Sequence, residues 1–220
     1  VRRRAPHAIV HTDAVQAPSW LDLRTIAPLV DLMSLSAHKF GGPKGVGVLT
    51  IRDGVAIDPL ITGGGQERER RSGTHNVAGI VALATALTET DAERDAENVR
   101  IARLRDRLVD GLTGRVDGVV ETVSRDRKVA GSAHVCLDGV ESESLLFLLD
   151  EANMCASAAS ACASGAMEPS HVLAAMGVDR ALAGGALRMS LGHATTEADV
   201  DRAVDVVTDA VIRLRRVRLP

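Results

Sequence analysis

The stretch Asp31-Leu-Met-Ser-Leu-Ser36-Ala37-His38-Lys39-Phe40-Gly41-Gly42-Pro43-Lys44-Gly45 decides the fold. Its apolar first half has the length of a buried strand, and the two glycines and proline force a turn directly after Ser36, His38 and Lys39. A lysine presented at the mouth of a sheet, among groups that disfavour its ammonium form, offers a free amine for condensation with an aldehyde. Ser36 and His38 beside it are candidate phosphate ligands. Together the three point to pyridoxal phosphate (PLP) held as a Schiff base on Lys39. The chain has only three lysines among many arginines, so lysine is not its default surface cation. Lys44, past the turn, reads as a structural or surface charge.

On the N-terminal side, Ala8-Ile-Val-His11 is a short apolar run that stops at Thr12-Asp13-Ala-Val-Gln16. Asp13 and Gln16 therefore fall just past a strand end, where open α/β sheets gather their ligands. On the C-terminal side a strand is expected over Gly45–Ile51, closed by the tight turn Arg52-Asp-Gly54. The loop from Thr62 to Asn76 is glycine-rich and then densely charged. Its Arg71, Ser72 and Thr74 precede a helix starting near Asn76, and hydroxyls and backbone N–H groups at a helix N-terminus suit phosphate.

Helical spacing runs through Val77, Ile80, Val81, Ala84 and Leu87, lapses over a polar stretch, and resumes at Val99, Ile101, Leu104, Leu108 and Leu112. The lapse reads as a domain boundary near residue 92, or as the exposed middle of one long helix. The division taken is residues 1–92 and residues 93–220, the second of α+β character.

In that second part, strands are expected at Ala133–Leu137 and Ala186–Leu191, a short helix at Glu143–Asp150, and a final helix opened by the capping box Thr196-Glu-Ala-Asp199. Arg188, inside an apolar strand, calls for an anionic partner: a substrate carboxylate or a structural salt bridge. From Cys155 to His171 almost every residue around Cys162 is Ala, Ser or Gly. Such a segment has little apolar area to anchor it, and a mobile thiol can collect a group and deliver it elsewhere. Cys136 and Cys155 fit buried structural thiols better. Glu168-Pro169 reads as the first turn of a helix ending at Gly177.

Composition narrows the classes. At 220 residues, 45% hydrophobic and 25% charged, the chain has the balance of an ordinary soluble globular protein and can bury a sizeable core. A net charge of −3 and the near absence of aromatic residues leave no footprint for nucleic acid or an anionic membrane. No apolar run approaches the roughly 18 residues that span a bilayer. Three cysteines, an odd number without zinc-ligand spacing, suit a reducing cytoplasm.

Taken together, His11-Thr-Asp13-Ala-Val-Gln16, Ser36-Ala-His38-Lys39, Arg71-Ser-Gly-Thr74, Ser160-Ala-Cys162-Ala-Ser with Glu168-Pro-Ser-His171, and Leu187-Arg188-Met-Ser-Leu-Gly192 resemble the PLP-dependent cysteine desulfurases of the NifS/IscS-like group. Five short motifs in unbroken order are far more specific than any one alone. The resemblance implies a fold-type I PLP enzyme working as a homodimer, with residues 1–92 the C-terminal part of its α/β cofactor domain and residues 93–220 its smaller C-terminal α+β domain. It implies that Lys39 carries the cofactor, Asp13 pairs with the pyridine nitrogen, Gln16 bonds the ring hydroxyl, and Ser36 and His38 hold the phosphate. Thr74 would reach the phosphate of the neighbouring subunit, Arg188 would bind the carboxylate of L-cysteine, and Cys162 would take the sulfur as a persulfide, releasing alanine. In related proteins that cysteine also helps to ligate a transient [2Fe-2S] cluster shared with an iron-sulfur scaffold partner.

Some positions depart from the pattern. Ala37 stands where the family often has Gly, and His193-Ala194 replaces a commoner Arg-aromatic pair. The family's earlier half of the cofactor domain, with its phosphate-cradling loop, ring-stacking His and an Asn near the ring, has no counterpart. The chain is therefore expected to be part of a longer protein or a truncated product, and to retain PLP weakly by itself. The alternatives are another class V aminotransferase, a selenocysteine lyase, or an inactive remnant that only binds a partner.

Overall fold

The computed structural model describes residues 1–158 and 170–218, and the chain divides into two compact units, Val1–Ala96 and Glu97–Pro220. The expectations placed on Ser160, Cys162, Glu168 and Pro169 lie outside the described residues.

In the first unit a short strand β1 (His11–Asp13) is followed by a 3-10 turn (Ala17–Ser19), a one-turn helix α1 (Leu23–Ile26), and strands β2 (Leu32–Ser36) and β3 (Gly47–Ile51). Strand β1 pairs parallel to β2, with Asp13 opposite Ser34, and β3 pairs antiparallel on the other side, with Ser36 opposite Gly47. The expected first strand lies later than its apolar residues suggested. Ala8–Val10 stay outside regular structure; Val10 hydrogen-bonds to Asp31 and Leu32 ahead of the ladder. Alternate β2 residues Met33 and Leu35 are buried with Ala14, Ala37, Phe40 and Leu83, and that cluster is the unit's core.

Helix α2 (Val77–Arg115) begins in the first unit and ends in the second. Asn76 opens it, its side-chain oxygen accepting the Gly79 N–H at 3.0 Å. The polar stretch is helical throughout. It lacks large apolar side chains, but its Ala, Glu and Arg residues are good helix formers, and it carries the i,i+3 ion pairs Asp91–Arg94 and Glu97–Arg100.

The second unit holds an antiparallel sheet ordered β4 (Val119–Glu121), β5 (Ser132–Leu137), β6 (Ala186–Ser190). Around it lie α3 (Ser142–Glu151), α4 (His171–Ala175), α5 (Arg180–Ala183) and α6 (Glu197–Arg218). Val135, Leu137 and Leu187 on the sheet, Ile101 and Leu112 on α2, Leu145 and Leu149 on α3, and Val207 and Val211 on α6 are all buried. Helix α6 opens on the expected capping box: Thr196 Oγ1 accepts the Asp199 N–H at 3.2 Å and Asp199 accepts the Thr196 N–H at 2.9 Å. Helix α4 is capped by Ser170, which at φ −53 and ψ 126 is non-helical and accepts the Val172 N–H.

Candidate active site

Parallel pairing of β1 with β2 brings two of the sequence-picked groups to one edge of the first sheet. Asp13 closes β1, and its Oδ1 accepts the Val15 N–H at 3.1 Å, which fixes the carboxylate at the strand end. Gln16 follows, exposed, as the N-cap of the 3-10 turn in which Pro18 is buried. One strand away the chain leaves β2 at Ser36 and makes a second 3-10 turn over Ala37–Lys39. All four positions lie at the carboxyl ends of neighbouring parallel strands, the usual place for a cofactor in such sheets.

The lysine turn is anchored from below. Ala37 is fully buried and Phe40 nearly so, while His38 and Lys39 between them are exposed. Backbone bonds close the turn: Phe40 and Gly42 N–H groups donate to Ala37 O at 3.1 and 2.9 Å, and Ala37 N–H donates to Val46 O at 3.1 Å. Thr90 on α2 adds a hydroxyl bond to Phe40 O at 3.1 Å. Gly42 must be glycine, since a Cβ there would lie 2.8 Å from the Ala37 Cβ. The turn is therefore a rigid pedestal for the exposed amine. Ser36 Oγ and His38 Nδ1 lie 2.9 Å apart, so the two candidate phosphate ligands are already joined beside Lys39. Lys44 is exposed beyond the turn, ahead of Gly45 at φ +78.

This donor set fits PLP by its chemistry: a carboxylate for a pyridine nitrogen, a hydroxyl and an imidazole for a phosphate, and an amine on a fixed turn for an aldehyde.

The Arg71–Thr74 loop departs in one respect from what its residue types implied. Ser72 is buried and its hydroxyl donates to Gly64 O at 2.5 Å, so it is committed inside the loop and is no phosphate ligand. Arg71 donates to Ser72 O at 3.1 Å. Thr74 is exposed, two residues ahead of the Asn76 cap of α2.

In the second unit Arg188 is half-buried on β6. Among the described residues no acidic side chain pairs with it, so the structural salt bridge open to it from sequence is not found there. Its backbone exchanges both hydrogen bonds with Ser157, N–H to O at 2.6 Å and O to N–H at 3.0 Å. The segment that leads toward Cys162 thus leaves from the edge of β6 beside Arg188. Cys136 is buried, and burial pushes its thiol up, as befits a structural cysteine. Cys155 is exposed, against the expectation of burial. Among the described residues no three His, Cys, Asp or Glu side chains cluster as a metal site, and no helix is long and apolar enough to cross a membrane.

Sequence reading missed the surroundings of Arg188. His134 on β5 stands directly opposite it, and Thr122 Oγ1 lies 2.9 Å from His134 Nδ1. A polar residue among the apolar ones of the β5 run was the available signal.

Residues 1–203 match the aminotransferase class-V family. An IscS-like cysteine desulfurase of Mycobacterium tuberculosis is 47% identical over 211 residues, covering 96% of this chain and 54% of that protein. A cysteine desulfurase IscS of Methanosarcina thermophila is 45% identical over 207 residues, covering 94% and 51% respectively. A solved NifS-like protein aligns with a TM-score of 0.83 at 36% identity, over 97% of this chain and 55% of its own. The chain spans about half the length of the curated relatives it matches.

Proposed function

Because the chain belongs to the aminotransferase class-V family, we propose that it supplies the lysine- and thiol-bearing part of a PLP-dependent cysteine desulfurase. The observation that carries this reading is the shared edge of β1 and β2, where Asp13 and the Ser36–Lys39 turn lie at neighbouring strand ends. The names of the relatives, cysteine desulfurases all, support the substrate class.

In this proposal Asp13 holds a proton on the pyridine nitrogen, Gln16 bonds the ring hydroxyl, Ser36 and His38 grip the phosphate, and Thr74 contacts the phosphate in a partner subunit of a homodimer. Bound PLP supplies an electron sink for charge developing at the substrate Cα. The free amine of Lys39 takes the Cα proton onto Nζ and returns a proton to carbon later, as general base and then acid. Arg188 binds the substrate carboxylate through its planar fork. Cys162, as thiolate, attacks the sulfur of the bound cysteine; an S–S bond forms, the Cβ–S bond breaks with its electron pair left on carbon, and protonation yields alanine. We further propose that the enzyme is cytoplasmic and passes the persulfide sulfur to an acceptor such as an iron-sulfur scaffold protein, with Cys162 also able to ligate a shared [2Fe-2S] cluster. The test is Cys162→Ala in the full natural chain. Sulfide release from L-cysteine should fall to background, and release that survives undiminished refutes the mechanism.

A further inference from the structure

We infer that His134 is a positioning residue for Arg188, held by Thr122 so that its imidazole limits the guanidinium to the orientation that receives a carboxylate. The inference rests on the proposed role of Arg188. The sheet register sets Thr122, His134 and Arg188 in one cross-strand row: His134 is the direct partner of Arg188, and the Thr122 N–H donates to His134 O at 3.3 Å as the β4–β5 ladder continues. Directly opposed residues hold their Cβ atoms about 4.5–5.5 Å apart on the same face of the sheet. That face is opposite the one on which Val135 and Leu187 are buried, and one end of it is closed by Cys136 and Ala186 packed against Leu173 of α4 and Ala183 of α5.

The charge pattern of the row explains why a histidine serves. Lys128, the other cation near the ring, is paired with Glu121 on β4, which Arg125 also contacts. Arg188 has no such acidic partner among the described residues. Burial first, then Arg188 and Lys128, push His134 below the usual imidazole range, so the ring is neutral at neutral pH. A carboxylate at this position would consume the charge of Arg188, and a second cation would repel the guanidinium. A neutral flat ring restricts the side chain and leaves its charge for an incoming anion. Thr122 Oγ1 on Nδ1 fixes the plane of that ring. Arginine carries substantial rotamer entropy, so restricting it beforehand lowers the cost of binding.

The experiment uses the full-length holoenzyme with L-cysteine, comparing His134→Ala, His134→Asn, Thr122→Val and Arg188→Ala. His134→Ala should raise KM about tenfold with kcat within about twofold, and weaken competitive inhibition by L-alanine by the same factor, because preorganised ground-state binding is what is lost. Thr122→Val should raise KM about threefold, and His134→Asn, which keeps a neutral polar plane, should recover most of the loss. If Arg188→Ala raises KM while both His134→Ala and Thr122→Val leave it unchanged, the positioning role is refuted and the role of Arg188 stands. If Arg188→Ala itself leaves KM unchanged, the carboxylate reading falls and this inference with it. Should His134→Ala fail to fold, an unchanged KM in Thr122→Val refutes the inference by itself.

Discussion

In the second unit Val135, Leu137, Leu145, Leu149 and Leu187 are fully buried, whereas in the first unit β3 exposes four of its five residues and Leu60, Val77 and Val81 stand in solvent. The buried cluster of the first unit comprises six residues, two of them alanine. A three-stranded sheet so thinly covered gains little from burial, because stabilisation scales with the apolar area removed from water. Yet this is the unit that carries Asp13, Ser36, His38 and Lys39. The rigidity of its lysine turn comes from local pins, Ala37 and Phe40 below and the bonds to Ala37 O above. The contrast teaches that, within this stretch of chain, the reactive turn is held by local pins rather than by many buried side chains.

The largest effect expected from a single change falls in the second unit, at Gly185. A Cβ there would lie 2.0 Å from Leu137 O and 3.0 Å from Val140 O, so the alanine variant forces apart the end of β5 and the start of β6. Gly185→Ala should cost more than about 3 kcal/mol, the upper range for overpacking, because the obstruction is backbone and cannot rotate away. Urea unfolding measures it; a loss below about 1 kcal/mol would show that this unit is looser than its burial implies.

A paired truncation sharpens the comparison next. Leu145→Ala on α3 removes a fully buried side chain from a large core and should cost about 3–4 kcal/mol, while Met33→Ala on β2 should cost about 2 kcal/mol, because its thinner surroundings can collapse around the gap. Hydrogen exchange resolved by segment assigns each loss to its unit. Equal losses would erase the distinction between a deep core and a shallow one.

These differences also set what could be read from the sequence. The strand ending at Ser36 was legible because an apolar run, a reactive triplet and a Gly-Gly-Pro turn follow each other without a gap. The Asn76 start of α2 and the Thr196 capping box were legible because caps are local chemistry. Strand β4 was not, since three residues show no period, and neither were α1 and α5, at four residues each. The commitment of Ser72 to Gly64 O was hidden in a loop whose composition fits a ligand site equally well. The pairing of His134 with Arg188 was hidden for another reason. It depends on the register of β5 against β6, and register is set by tertiary packing between segments far apart in the chain.

The smallest effect is a pH dependence, and it tests the burial of that same row. His134 is held below its ordinary value of 6.5 by burial first and then by Arg188 and Lys128. As pH falls below about 6.5 the unfolded chain takes up this proton more readily than the folded one, so stability declines until the folded value is reached; above that window the group contributes nothing. Asp31 in the first unit loses stability in the same sense, on acidification, but in a lower window. The Val10 N–H first, and then Arg2, hold its carboxyl below 3.8, so its contribution is present above that value and is lost only as pH falls through the lower folded one. Between about pH 7 and 5, then, the urea midpoint of the second unit should fall modestly in the wild-type chain, and this part of the decline should vanish in His134→Asn. An unchanged decline in that variant would mean that the imidazole takes up its proton without penalty. The row beside Arg188 would then be open to water, and a hydrated guanidinium would bind its carboxylate without help from a fixed neighbour.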